Sequence, residues 1–249
     1  MSARRLNPRA GVTLLEVLIA VTLLSLLTVG MFLALRIGLS AFARTDSKLM
    51  ENRRVAGAQR IIDQELEGLI PARVNCGPPD GPPGQPAILF QGLSDTMTMV
   101  SGFSLQAAWR GRPQVLQFLI GPSDQGEGLR LMVNETPYLG PVSSGALCTG
   151  VVPDPQTGIG LPQFLRPSAG PATFVLADHL AYCRFKYLTP GSLPGQPPTW
   201  QPGWGSAGWP SAIRIEMAPA QPSVGQLQPI TVTAPVYINR VPEVMYTDR

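Results

Sequence analysis

The sequence predicts an α+β protein: one long N-terminal α-helix with a transmembrane first half, packed on a C-terminal antiparallel β-sheet domain. Three observations carry this. The nineteen residues from Val17 to Leu35 hold no charge, and the apolar pattern continues beyond them with helical spacing. Eight short β-like runs follow residue 86, each flanked by turn residues, as an antiparallel domain requires. The chain also has 26 glycines, 27 prolines and only 14% charged residues, a composition suited to a loop-rich β domain. A length of 249 residues allows one sizeable domain or two.

Residues 1–11 are a basic leader, with Arg4, Arg5 and Arg9 preceding Gly11. Without it the chain holds 16 basic and 16 acidic residues, so the pI near 9.0 belongs to the leader. The domain itself shows no basic surplus, and no nucleic-acid partner is expected. Residues 12–37 form the transmembrane part of the helix. Val17 to Leu35 alone spans about 28 Å at 1.5 Å per residue, enough for a bilayer core. Arginines before the run and a long polar chain after it place the N-terminus in the cytoplasm and the globular part outside. An ordinary signal peptide would show a small-residue cleavage site after the apolar run, and "LRIGLSAFARTDSKLMENRR" has none. A plain signal anchor accounts for the run and its flanks. It does not account for Gly11, or for Glu16, whose charge at membrane depth costs roughly 2.5–3.5 kcal/mol.

Residues 38–71 form the amphipathic part of the helix. Leu35, Phe42, Leu49 and Ala56 recur every seven residues, and Val55, Ala58, Ile62, Leu66 and Leu69 make an apolar stripe for the sheet to bury. The helix is expected from Thr13 to about Ile70, ended by Gly68 and Pro71. Gly30, Gly38 and Gly57 are its candidate soft points.

Residues 72–249 form the β-rich domain. "NCGPPDGPPG" (Asn75 to Gly84) is a loop. The expected strands are "AILFQGL", "TMTMVSGF", "QVLQFLIG", "LRLMVNE", "TFVLAD", "LAYCRFKYL", "AIRIEMA" and "PITVTAPVYINR". The three cysteines imply one disulfide and one free thiol, and their spacing does not give the pairing. In "LAYCRFKYL" the residues Ala181, Cys183, Phe185 and Tyr187 alternate with Tyr182, Arg184 and Lys186, which turns Cys183 toward the core. Cys76–Cys148 is therefore the expected disulfide. Trp200, Trp204 and Trp209 lie in a Gly/Pro-rich stretch from Pro190 to Pro210, read as a covering loop whose indoles pack on the sheet.

No catalytic residue, cofactor or metal site is expected. His179 is the only histidine, and no G-x-S-x-G elbow accompanies it. The cysteines lack zinc-ligand spacing. No P-loop or dinucleotide fingerprint occurs, and "SDQGEG" (Ser123 to Gly128) is a turn without the spacing of a compact calcium loop.

"GVTLLEVLIAVTLL" closely resembles the class III signal of type IV pilins and type II secretion pseudopilins. The resemblance implies cleavage by a prepilin peptidase between Gly11 and Val12, and N-methylation of Val12. It puts Glu16 at the fifth mature position, where that family keeps a glutamate. The first mature residue there is usually Phe or Met, and this chain has Val12. In an assembled filament the implied role of Glu16 is an ion pair with the N-terminal amine of a neighbouring subunit; alone, it would sit hydrated at headgroup level. A second, looser resemblance covers Leu176 to Arg240: "LAYCRFKYL", the tryptophan loop, "GWPSAIRIEMAP" and "ITVTAPVYINR" are similar to the C-terminal half of the J-type minor pseudopilin. It implies a pilin-like fold, a place in the tip complex of a secretion pseudopilus, and I-type and K-type minor pseudopilins and the major pseudopilin as partners. It also implies a single-pass protein of the bacterial inner membrane with a periplasmic domain. A minor pilin of a type IV pilus shares the first motif and the same architecture.

Overall fold

The computed structural model describes residues 13–77, 84, 86–105, 109–124, 126, 128–154, 158–190, 196–206, 208–220 and 229–238; for 43–56, 109 and 110 it describes the backbone alone. The chain divides into two compact units, one through residue 50 and one from Glu51 onward. Its class is α+β, one long N-terminal helix followed by a largely antiparallel sheet domain.

Helix α1 (Leu14–Glu67) accounts for the described part of the first unit. Gly30, Gly38 and Gly57 lie within it without interrupting it. From Leu14 to Phe42 the helix is apolar, with no side chain buried, and its 29 residues reach about 43 Å. The hydroxyls in this stretch are satisfied by the helix itself: Thr22, Ser25, Thr28 and Ser40 donate to carbonyls three or four residues back, at 2.8–3.0 Å. A helix that satisfies its own polar groups is one of the two structures that suit a hydrocarbon surround.

In the second unit the last turns of α1 bury Ala58, Ile62 and Leu66, a stripe spaced every four residues. The helix stops at Glu67, three residues earlier than the sequence pattern predicts. Gly68 and Leu69 still donate to Gln64 and Leu66, but the Ile70 amide turns to the carbonyl of Val100 at 2.8 Å. Leu69 pairs with Ser101 as an isolated bridge, so strand pairing replaces the final helical turn.

The strands are β1 (Arg73–Asn75), β2 (Pro86–Ile88), β3 (Gln91–Gly92), β4 (Thr96–Ser104), β5 (Trp109–Pro122), β6 (Leu129–Pro137), β7 (Cys148–Pro153), β8 (Gly160–Phe164), β9 (Phe174–Thr189), β10 (Thr199–Gln201), β11 (Ala212–Pro219) and β12 (Ile230–Pro235). The main sheet runs β12-β11-β9-β6-β5-β4-β3, with β10 also paired to β9. All its pairings are antiparallel. β1–β2 and β7–β8 form two small separate sheets.

Alternation along β4 and β5 sends side chains into two cores. Met97, Met99, Leu116 and Phe118 join Ile62, Leu66, Phe185, Ile213 and Ile215 in the core under the helix. Val100 and Val115 face the other way and meet Val74, Leu89, Tyr138 and Phe164 from the small sheets and adjoining chain.

Sequence and structure differ in several places. "AILFQGL" is not one strand. It breaks at Leu89–Phe90, where the Leu89 amide turns to Ala72 O, the Phe90 amide to Ile88 O, and the pairing partner changes from β1 to β4. "TFVLAD" and "LAYCRFKYL" are a single sixteen-residue strand, β9, with an irregular register against β6 near Leu180. His179 takes φ 54° at that irregularity. The bulge shifts the alternation, so Ala181 is exposed while Leu180, Cys183, Phe185 and Tyr187 are buried. Within "PITVTAPVYINR" strand β12 ends at Pro235, and the Val236 amide still bonds Ser211 O at 3.0 Å. Strands β1, β7, β8 and β10 were not expected from the sequence.

At the far end of β9, Tyr187 is fully buried; its hydroxyl donates to Leu93 O at 3.1 Å. A Cβ on Gly92 would stand 2.3 Å from the Tyr187 ring, so only glycine lets the chain pass there.

Candidate functional site

The N-terminal turn of α1 carries the most specific chemistry of the chain. Gly11 and Val12 lie outside the described residues. Thr13 is the first described residue and caps the helix. The Glu16 amide donates to Thr13 O at 3.1 Å and to its Oγ1 at 3.3 Å, and the Val17 amide donates to Thr13 O at 3.2 Å. The hydroxyl thus takes up one of the amides that every helix N-terminus leaves unpaired. "TLLE" has the T-x-x-E spacing of a capping box, with Glu16 at its third helical position. The sequence carried this signal, and reasoning from membrane depth and motif alone passed over it. A carboxylate in the first turn also faces the positive end of the helix dipole. Glu16 is exposed, and everything around it on the helix is apolar and exposed too. Such a group is available to a cation approaching from outside the chain.

The other singled-out residues serve structure. Cys76 and Cys148 form a disulfide with Cα atoms 5.5 Å apart, linking the end of β1 to the start of β7. Cys183 is a free, buried thiol whose pKa burial pushes up to about 12, which leaves it protonated and unreactive at neutral pH. His179 is exposed, and its amide donates to Asp178 Oδ1 at 2.9 Å. At the turn from Ser123 to Gly128, Arg130 reaches Asp124 at 2.6 Å and Asp178 at 2.9 Å. Burial would raise the pKa of Asp178, but hydrogen bonds from the His179 amide, Ser123 and Arg130 hold it below the usual carboxylate range. Asp124 and Asp178 are thus engaged by one guanidinium. Among the described residues no cluster of three or more metal-ligating side chains occurs.

The tryptophan loop lies on the sheet. Trp204 and Trp209 pack against the core, and Trp209 lies tilted against Phe90 with ring centroids 5.2 Å apart. The Trp204 amide bonds Gly92 O at 2.8 Å and its indole N–H bonds Gly208 O at 2.8 Å. Trp200 receives the Arg214 guanidinium over its ring at 3.8 Å. On the same outer face Glu216 binds Arg184 at 2.6 Å and Lys186 at 2.9 Å.

No curated protein matches the chain. The family described as the prokaryotic N-terminal methylation motif matches residues 6–32, a span that includes Gly11, Val12 and Glu16. The apolar helix that follows fits the single-pass membrane anchor typical of prepilin-like proteins. The motif points to a structural subunit that is processed by a prepilin peptidase and assembles with other pilin-like subunits. The chain carries the type IV pilin-like prepilin signal, which supports a place in the pilin and pseudopilin family.

Proposed function

We propose that this protein is a minor pseudopilin of a type II secretion system, of the J type. It would be a structural subunit of the pseudopilus tip complex, which helps export folded proteins across the outer membrane. The observation that carries the pilin-like part of the reading is the position of Glu16. It lies five residues beyond Gly11, in the first turn of an apolar helix that none of the described residues covers from Leu14 to Phe42.

On this reading the prepilin peptidase removes Met1 to Gly11 at the cytoplasmic face of the inner membrane, and Val12 becomes the methylated N-terminus. Its amine and a neighbour's Glu16 are each costly in an apolar surround and much less so as a pair. Docking of subunits is thereby favoured in one register. The sheet domain stands in the periplasm and meets the I-type and K-type minor pseudopilins; the major pseudopilin forms the shaft. The similarity of Leu176 to Arg240 to the J-type C-terminal half favours secretion over a pilus.

Mass spectrometry of the protein from peptidase-positive cells is expected to show an N-terminal Val12 carrying one methyl group; an intact leader would refute processing. Co-purification from detergent extracts tests the finer assignment. I-type and K-type pseudopilins are the expected partners, and recovery of pilus-assembly proteins in their place would reassign the chain as a minor pilin of a type IV pilus.

A further inference from the structure

Glu65 lies on the buried face of α1, three residues after Ile62 and beside Leu66, and has no exposed surface. Neither carboxyl oxygen makes a hydrogen bond of normal geometry. The groups that act on it are few. Burial is the strongest and disfavours its charge, the Glu135 carboxylate from β6 does the same, and the Ser101 hydroxyl from β4 partly offsets them. Glu135 itself accepts a 2.5 Å hydrogen bond from Ser104 Oγ. On the helix, the nearby acids Asp63 and Glu67 add negative charge to this turn, and Asp63 is pushed upward by its own burial and by Glu67. No cation is among the groups that shift Glu65, and its pKa stands at about 7.

The site of this carboxyl matters as much as its burial. Immediately after it, the chain is sewn to β4 by three contacts: the Ile70 amide to Val100 O at 2.8 Å, the Gly102 amide to Gly68 O at 2.8 Å, and the Leu69–Ser101 bridge. Ser101 is fully buried and takes part in both the seam and the environment of Glu65. Among the described groups that act on Glu65 none is a cation, and its full burial keeps a charge formed there from solvent. The way to hydrate it is to part the helix end from β4.

We propose that Glu65 is a proton-operated pin: neutral, it locks the last turn of α1 onto β4, and on losing its proton it opens that seam while the rest of the sheet stays paired. The open seam binds fewer protons at Glu65 than the closed one. With the group at 4.5 when solvated and about 7 when enclosed, opening should rise roughly 40-fold from pH 5 to pH 7 and level off above pH 8.

Hydrogen exchange on the full chain in detergent micelles reads this directly. Protection factors for segments holding Ile70 and Gly102, corrected for intrinsic exchange, are expected to fall by that factor between pH 5 and pH 7. Segments in β9 and β11 around Phe185 and Ile215 should hold theirs. Glu65→Gln should make the seam's protection independent of pH. A seam whose protection is flat in the unmodified chain, or one that keeps its pH dependence in Glu65→Gln, would overturn the proposal. Should the variant not fold, carboxyl-carbon NMR of the unmodified chain decides: titration of Glu65 near 7 upholds it, and titration near 4.5 refutes it.

Discussion

The two ends of α1 make the same backbone serve opposite purposes. From Leu14 to Phe42 the helix is apolar on every side, and none of it is covered. From Ala58 to Leu66 it is apolar along one stripe only, and that stripe is closed over by the sheet. Each end holds a glutamate on or beside apolar surface. Glu16 is exposed and sits over a capped first turn. Glu65 is enclosed, makes no hydrogen bond of normal geometry and is shifted toward neutrality. The difference teaches how to read an acid in an apolar helix. Where the apolar surface goes all the way round, the acid stays exposed, outside any core of its own chain. Where the surface is a stripe, the acid is part of the core, and its proton becomes part of the stability.

The largest expected effect breaks the first half of the comparison. Glu16→Ala should leave the sheet domain's melting temperature unchanged and leader cleavage largely intact, yet exclude the subunit from filaments or tip complexes. Losing one member of a buried ion pair costs roughly 3–5 kcal/mol, and Glu16→Asp should fall between. The readout is the fraction of subunit recovered in sheared or cross-linked assemblies. Normal assembly of Glu16→Ala would leave the carboxylate a hydrated headgroup residue.

The same substitution chemistry applied to both ends should give contrasting results. Ile62→Ala deletes a fully buried side chain and should destabilise the domain by about 2–5 kcal/mol. Leu26→Ala removes a side chain that is 69% exposed, and should shift domain stability by less than about 0.5 kcal/mol. Urea denaturation of the two variants in the same detergent compares them. Equal losses would mean that residues 14–42 are part of the domain's own core.

The contrast also shows what a sequence discloses. The anchor, the long helix, the stripe of Ala58, Ile62 and Leu66 and most of the long strands follow from periodicity, because each rests on local spacing. The break at Leu89–Phe90 is invisible locally: both residues are apolar, and the change of pairing partner from β1 to β4 is set by tertiary contacts. The bulge at His179 is hidden for the same reason, since register against β6 is a property of the pair of strands. Strands β1, β7, β8 and β10 are short pairings supplied by tertiary contacts, beyond the reach of propensity. Glu65 is the instructive omission. It sits three residues from Ile62 on the stripe, so its burial was there to be read, and attention to motif and charge at the N-terminus passed it by. The T-x-x-E cap at Thr13 was equally local and equally missed.

A smaller effect tests the second half. Glu65 is at about 7 in the folded chain against an ordinary 4.5. A raised folded value means that its contribution is fully present below about pH 4.5 and is lost as pH rises toward and through 7. The difference is worth about 3 kcal/mol by pH 8. Glu65→Met, which keeps the volume and removes the charge, should therefore match the parent near pH 4.5 and exceed it by up to that amount at pH 8. Chemical denaturation at the two pH values checks this. A variant weaker than the parent at pH 8 would show that the carboxylate, and not the acid, is the stabilising form.

The smallest effect separates two roles that Glu16 holds at once. Through its amide and its place in the first turn, Glu16 belongs to a helix cap whose acceptor is Thr13. Through its carboxylate it is the proposed partner of a neighbour's amine. Thr13→Ala removes only the first role, since the side-chain acceptor goes and the carboxylate stays. An N-cap of this kind is worth about 1 kcal/mol, confined to the first turn. Thr13→Ala should therefore fray the helix start, seen as faster amide exchange at Glu16 and Val17, and lower assembly only slightly; Thr13→Ser should restore the cap. Glu16→Gln gives the complementary result, keeping the backbone cap and losing the charge, with an assembly defect close to that of Glu16→Ala. If Thr13→Ala proved as damaging to assembly as Glu16→Gln, the glutamate would matter for shaping the helix start, and the inter-subunit ion pair would be unnecessary. If the two variants part as expected, the charge of Glu16 acts on another chain and its amide acts on its own.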